Sequence, residues 1–262
     1  MYSNFNNKNN YNDSDNDNSI NFNLKYINDL KSNQTNSEQI ITKTKLYLTN
    51  IFIIDWDDTL FPTTWVNNNK INMSDSKSIN DYKLYFLELD KTVSNFLESF
   101  DKIGDIYIVT NANIKWIKSC LMVLTLTRNI IIKNNIKILS ARDSYSQSIN
   151  SPTEWKTLTF QDILEDIIKK ILLNIKPNTC LNIISLGDAH YEYIALINLD
   201  SYFKTNKLIK NSPNSSNINY LLKSIKFIEK PEFDYVIDQL QVILKNKNSI
   251  INKLGYIDLK FK

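Results

Sequence analysis

Glycine, cysteine, histidine and arginine are all scarce in this chain of 262 residues, and each scarcity narrows the chemistry available. Two cysteines, Cys120 and Cys180, lie in different apolar segments and make neither a disulfide framework nor a metal motif. They read as buried, reduced thiols. A lone histidine, His190, leaves His-based zinc sites and Ser-His-Asp triads without materials unless that residue serves. It reads more simply as a surface or capping residue. The basic side is nearly all lysine, with Arg128 and Arg142 as its arginines. Lys+Arg is 31 against 28 Asp+Glu, a net charge of +3, and no compact basic run stands out. The lysines accompany abundant Asn, Ile and Tyr, the signature of an A/T-rich coding sequence, so no nucleic-acid partner is expected. Residues 1–23 contain no apolar leader segment, and no long uncharged apolar run supplies a membrane span. A soluble, cytoplasmic protein is the expectation.

The hydrophobic content of 42% supports a sizeable core. Residues 1–36 are dominated by Asn, Asp and Ser and cannot bury enough apolar surface to offset ordering entropy. They read as a disordered tail, with a short helix around Leu24, Tyr26, Ile27 and Leu30 as its structured option. Residues 37–262 form the folded domain, and residues 38–48 lead into its key strand as a strand or helix.

That strand lies in IFIIDWDDTLFP, residues 51–62. Ile51, Phe52, Ile53 and Ile54 form an unbroken apolar run, the pattern of a parallel strand buried on both faces. Asp55, Asp57 and Asp58 follow, where open α/β sheets place their ligands. Three neighbouring carboxylates repel one another, so a cation or a catalytic task holds such a cluster together. The bland alternative is an acidic turn, since Asp favours turns and helix starts.

Strand and helix patterns then alternate. Residues 62–81 look loop-like. Residues 82–100 carry Leu84, Phe86, Leu87, Val93, Phe96, Leu97 and Phe100 at helical spacing. Strand 105–110 follows, then helix 114–127, strand 136–139 and a polar loop over 140–152 with Arg142 and Asp143. Trp155 and Lys156 open the next helix. Strand 180–186 runs into Gly187-Asp188, followed by a short helix over 191–196, a strand near 207–210, a linker at 211–217 and an edge strand over 225–228. Pro231 starts the last helix. Trp56, Trp65 and Trp155 read as packing residues. The alternation predicts an α/β, three-layer Rossmann-like fold: a parallel sheet with helices on both faces.

The polar residues at the strand ends, in chain order, are Asp55 and Asp57, Thr110, Lys156 at a helix start, and Asp188. A carboxylate nucleophile, an acid/base carboxylate, a hydroxyl, a cation and a metal-binding carboxylate are the parts of phosphoryl transfer through an aspartyl-phosphate. Taken singly, Thr110 is an ordinary helix cap and Lys156 an ordinary solvated lysine. A cation at a helix start opposes the helix dipole, however, and asks for a nearby anion.

This order resembles the haloacid dehalogenase (HAD) superfamily of phosphohydrolases. DWDDT, residues 55–59, is similar to its first motif, YIVT ending at Thr110 to its second, Lys156 to its third and SLGDAHYE, residues 185–192, to its fourth. The resemblance covers roughly residues 50–200. It implies Asp55 as nucleophile and Asp57 as general acid/base. Thr110 and Lys156 would hold phosphoryl oxygens, with Asn111 and Arg142 beside them as substrate contacts. It also implies Mg²⁺ bound by Asp55, the Asp57 carbonyl and Asp188, with Glu192 as a further candidate. Two positions depart from the pattern: Asp58 stands where Gly is common, and Glu192 where Asp is common. Response-regulator receivers also combine Asp, Thr and Lys, but place their phosphoacceptor Asp on the strand before the Thr; no such Asp precedes Thr110 here.

The intervals 60–105 and 111–155 are too short for a full cap domain. The resemblance is therefore to capless members, which act on phosphoproteins or other bulky phosphates. A Mg²⁺-dependent phosphomonoesterase is the favoured expectation. A catalytically silent phosphate-binding or scaffold module is the rival.

Overall fold

A computed structural model describes residues 47–173, 179–206 and 218–262. The tail and its short helix, most of the lead-in 38–48, the strand near 207–210 and the linker at 211–217 lie outside the described residues.

Six parallel strands form one sheet in the order β3-β2-β1-β4-β5-β6. They are β1 (Tyr47–Ile54), β2 (Asp105–Thr110), β3 (Lys137–Ser140), β4 (Thr179–Gly187), β5 (Ile218–Lys226) and β6 (Ile257–Lys260). The helices are α1 (Thr63–Asn68), α2 (Ser76–Asp81), α3 (Lys83–Asp101), α4 (Ile114–Val123), α5 (Thr125–Lys133), α6 (Ala141–Tyr145), α7 (Pro152–Leu173), α8 (His190–Thr205) and α9 (Phe233–Asn252).

Strand β1 shows why the sheet has a core on each face. Successive side chains point to opposite sides. Phe52 and Ile54 join a core built with α3, α4, α5 and α9. Ile51 and Ile53 join a second core built with α7 and α8. All nine residues of β4 are buried. The expected α/β architecture with helices on both faces is thus present, and among the described residues no large cap domain interrupts it.

Several local expectations are corrected. β1 begins at Tyr47, ahead of the apolar run, because β4 pairs with it from Thr179 onward. Residues 62–81 hold α1 and α2 rather than a loop. Asp75 caps α2 through the N–H groups of Lys77 and Ser78, and neither short helix has the apolar stripe that would have revealed it. In α3, Leu84 and Leu87 are 80% and 53% exposed, so they lie off the stripe formed by Phe86, Leu89, Val93, Phe96, Leu97 and Phe100.

Helix 114–127 is two helices. The buried Asp90 carboxylate accepts the N–H groups of Leu126 and Thr127, each at 2.8 Å, and starts α5 there. Ser140 likewise caps α6 inside the expected polar loop, accepting the Asp143 N–H at 3.0 Å. Lys156 lies within α7 instead of at its start, because the helix begins at Pro152. The short helix at 191–196 extends over His190–Thr205. The last long helix opens at Phe233, two residues after Pro231. The expected edge strand is the end of β5, an inner strand. The edge on that side is β6, where Ile257 and Leu259 point inward and Asp258 and Lys260 outward.

Lys223, on β5, is fully buried. Its ammonium donates to the Ile250 and Ile251 carbonyls at 2.8 Å each, near the carboxyl end of α9, where the helix dipole favours a cation. Burial still lowers its pKa, from 10.5 to about 8. Between those values the unfolded chain carries the extra proton, so this group makes stability rise with pH. Relative to Lys223→Met, the wild-type Tm is expected to climb from about pH 8 to 10, worth on the order of 2 kcal/mol. Parallel Tm curves for the two proteins would refute this.

Candidate active site

The carboxyl end of β1 turns sharply. The Asp55 N–H still pairs with the Leu186 carbonyl at 2.9 Å, extending the sheet by one residue. The Trp56 carbonyl then accepts the N–H groups of Leu60 and Phe61, each at 2.9 Å, while the Asp58 N–H bonds the Phe61 carbonyl at 2.7 Å. Trp56 and Phe61 are fully buried and stack at 6.1 Å, anchoring the turn in the core. Asp58 takes φ 56°, the left-handed region that favours Gly but tolerates Asp. Its carboxylate accepts both the hydroxyl and the N–H of Thr64, and so caps α1, whose N-cap residue Pro62 provides no side-chain cap.

This turn presents Asp55 and Asp57 in different settings. Asp55 accepts from the Lys156 ammonium, which also bonds Glu192. Lys156, Asp55 and Glu192 are 1%, 6% and 4% exposed, so this is a buried three-group ion cluster. Asp57 instead meets neutral donors. The Thr63 hydroxyl and the Trp116 indole N–H both reach its Oδ1, at 2.6 and 2.8 Å, and the Thr110 hydroxyl reaches Oδ2 at 2.9 Å.

Asp55, Asp57, Asp58, Asp188 and Glu192, with Lys156 and Arg142, line one open cleft of about 610 Å³ at the carboxyl edge of the sheet. Every expected site residue is in this cleft except Thr110. That residue is fully buried behind Asp57, accepts the Ala112 N–H at 2.8 Å, and contacts the acid/base candidate rather than the open space. Asn111 is in the wall. His190 is exposed at the first position of α8 and stacks on Tyr193 at 5.4 Å. Trp56, Trp65 and Trp155 pack as expected. Both cysteines are buried and free.

Trp116 and Thr63 were not anticipated. Both stand in the first turn of a helix that follows a strand-end motif. Their position was legible, but only the fold aims them at Asp57.

Burial dominates the electrostatics. It drives the Asp55 carboxyl well above its ordinary range, against the pull of Lys156, while Glu192, Asp188 and Asp57 add to the rise. Burial, then Glu192 and Asp58, push Asp188 up to about 7. Burial also works against the Lys156 ammonium, yet Asp55 and Glu192 outweigh it and keep Lys156 charged. Five carboxylates thus face two cations.

Among the described residues no three His, Cys, Asp or Glu side chains stand in ready metal-ligand geometry. The carboxylate oxygens of the acidic wall are nonetheless of the donor type a hard divalent cation takes. Their negative charge is undercompensated, and Glu192 Oε2 is buried without a partner.

No protein-family model, curated protein or solved structure matches this chain.

Gly187 holds the cluster closed from below. A Cβ there would lie 2.3 Å from Glu192 Cγ and 2.6 Å from its Cδ. Gly187→Ala is therefore expected to push Glu192 off Lys156 and cost on the order of 1–3 kcal/mol in thermal unfolding. Adding Glu192→Ala makes room for the methyl group, so the double variant should lose less than the sum of the singles. Strict additivity would show that the steric coupling is absent.

Proposed function

We propose that the chain is a Mg²⁺-dependent phosphomonoesterase that works through an aspartyl-phosphate on Asp55. The observation that carries this reading is the contrast between the two carboxylates of one turn. Asp55 is bound to a buried ammonium, while Asp57 is fixed by three neutral donors at the mouth of the same cleft. A pair differentiated in this way suits a nucleophile beside an acid/base. The resemblance of the DWDDT, YIVT, Lys156 and SLGDAHYE segments to the haloacid dehalogenase superfamily agrees with it.

The chemistry follows from the free lone pairs. Lys156 occupies Asp55 Oδ1, leaving Oδ2 to attack phosphorus as the ester oxygen departs. Asp57 Oδ1 is taken by two donors, so Oδ2, which carries only Thr110, is the atom that hands a proton to the leaving oxygen. The same oxygen then accepts a proton from the water that cleaves the acyl phosphate and releases inorganic phosphate. Lys156 offsets charge on Asp55 and on the phosphoryl group. Asp55, Asp188 and the Asp57 carbonyl would hold Mg²⁺, which neutralises phosphoryl charge when bound. With no large cap among the described residues, the cleft is open to bulky phosphates, including protein-borne ones.

A silent phosphate-binding module is the second reading. It is favoured by the absence of ready metal-ligand geometry among the described residues. Hydrolysis of p-nitrophenyl phosphate and a panel of phosphate esters, with and without Mg²⁺, separates the two. Mg²⁺-dependent turnover is expected, and negligible rates across the panel would favour the binder.

In the active case, Asp55→Asn is expected to abolish turnover and leave no hydroxylamine-sensitive phosphoenzyme. Asp57→Asn should lose roughly 10²–10⁴ in rate yet accumulate the phosphoenzyme, because an activated leaving group needs little protonation. Phosphate found by mass spectrometry on another residue would overturn the assignment.

Burial, then Glu192 and Asp58, push Asp188 up to about 7, so protons would compete with a metal there. Mg²⁺ affinity measured by calorimetry should strengthen as pH rises from about 6 to 8. A flat profile would remove Asp188 from the ligand set.

A further inference from the structure

The cleft is much larger than one phosphoryl group, falling among pockets of roughly 300–1,000 Å³ that hold whole small ligands. Its acidic floor belongs to β1, β4 and α8, but the wall on the β3 side has a different chemistry. Arg142, just past the end of β3, is exposed and lines the cleft. Among the described residues it has no ion-pair partner. The acid beside it, Asp143, is engaged with the Ile114 N–H at 2.9 Å. Arg142 is nevertheless held in place: its guanidinium lies over the Trp155 ring at 5.8 Å. That ring is itself fixed by its N–H bond to the Ile149 carbonyl at 2.7 Å. A guanidinium over a ring face still has its planar fork of donors to offer an anion with two oxygens.

A second, independent observation lies between Arg142 and the carboxylates. Asn111 follows β2, the strand between β1 and β3. Its amide donates to the Pro152 carbonyl at 3.2 Å, while its Oδ1, in the same cleft wall, is buried without a partner. A buried acceptor left open costs stability unless something donates to it. Strand spacing sets β3 about 10 Å from β1, so an arginine side chain reaches back to within a few ångströms of a bound phosphoester.

We propose that the β3 side of the cleft is a subsite for a second anionic group, borne by the leaving group of the phosphoester. Arg142 binds that anion, and Asn111, in the wall between the two charges, flanks the chain that links them. This subsite rests on the phosphoester reading and narrows its substrate class to esters whose alcohol carries a carboxylate or a second phosphate.

The test uses phosphonates, in which carbon replaces the ester oxygen and turnover is impossible. Butylphosphonate carries one anionic end. 4-Phosphonobutyrate and butane-1,4-diphosphonate carry a second, as a carboxylate and as a phosphonate. Calorimetry at fixed free Mg²⁺ is expected to show one or both of the two-ended ligands binding wild type roughly tenfold tighter than butylphosphonate, the increment of a charge-assisted pair. The tighter of the two identifies the second group. In Arg142→Gln the preference over butylphosphonate should fall below twofold, and Arg142→Lys should retain part of it. Because Arg142 is exposed, Tm should not move.

Equal affinity of wild type for all three ligands, or a preference that survives Arg142→Gln, overturns the subsite. If p-nitrophenyl phosphate is still hydrolysed in that case, the phosphatase reading stands without it. If none of the three phosphonates binds and p-nitrophenyl phosphate is not hydrolysed, both readings are overturned.

Discussion

The buried ammonium of Lys156 is the interaction on which the rest of the site depends. At 1% exposure the Lys156 ammonium has lost its hydration, and nearby anions offset that loss. Two do so, and they come from separate parts of the fold: Asp55 at the end of β1 and Glu192 in α8. The cation therefore ties together the central strand and both helices of one face. Removing Lys156 would leave two carboxylates facing each other in the interior, whereas removing either acid leaves a one-to-one ion pair. The cluster thus works as a structural joint and an electrostatic device at once, and Gly187 leaves just enough space for it to close.

Around that joint the two carboxylates of the DWDDT turn diverge because their neighbours do. Asp55 looks inward to a charge, and Asp57 looks sideways to hydroxyls and an indole. The turn holds them apart through buried Trp56 and Phe61 and through the positive φ of Asp58. Asp58 adds a tie of its own by capping α1, the helix whose first residue, Thr63, bonds Asp57. Acidic turn and adjoining helix start are thereby one unit, and the bland reading of DWDDT as a simple turn accounts for only part of what those residues do.

Much of this was legible in the sequence where burial is two-sided. The apolar runs at 51–54 and 180–186 marked β1 and β4, and the polar residues just beyond them marked the cleft. Legibility failed where structure depends on distant partners. Nothing local signals that Asp90 splits 114–127 into two helices, since the carboxylate comes from α3. Trp116 could not be assigned to Asp57 without knowing that β2 lies beside β1. Helices α1 and α2 were missed because they are short and polar, and β6 because four alternating residues are too few to stand out. The Thr110 hydroxyl, read as a contact for phosphoryl oxygens, points at the Asp57 carboxylate, a matter of side-chain direction that spacing does not encode.

The all-parallel sheet also sets the timing of assembly. Parallel neighbours cannot be joined by a tight hairpin, so every strand pair waits for a crossover. Asn50 and Asn182, bonded between β1 and β4, are 132 positions apart. During synthesis the greasy central strand emerges long before its partner, and the chain must keep that strand from associating with other molecules until the second half arrives. Such a topology folds slowly and passes through intermediates with exposed apolar edges. Its vulnerable moment is therefore kinetic, lying in the nascent chain.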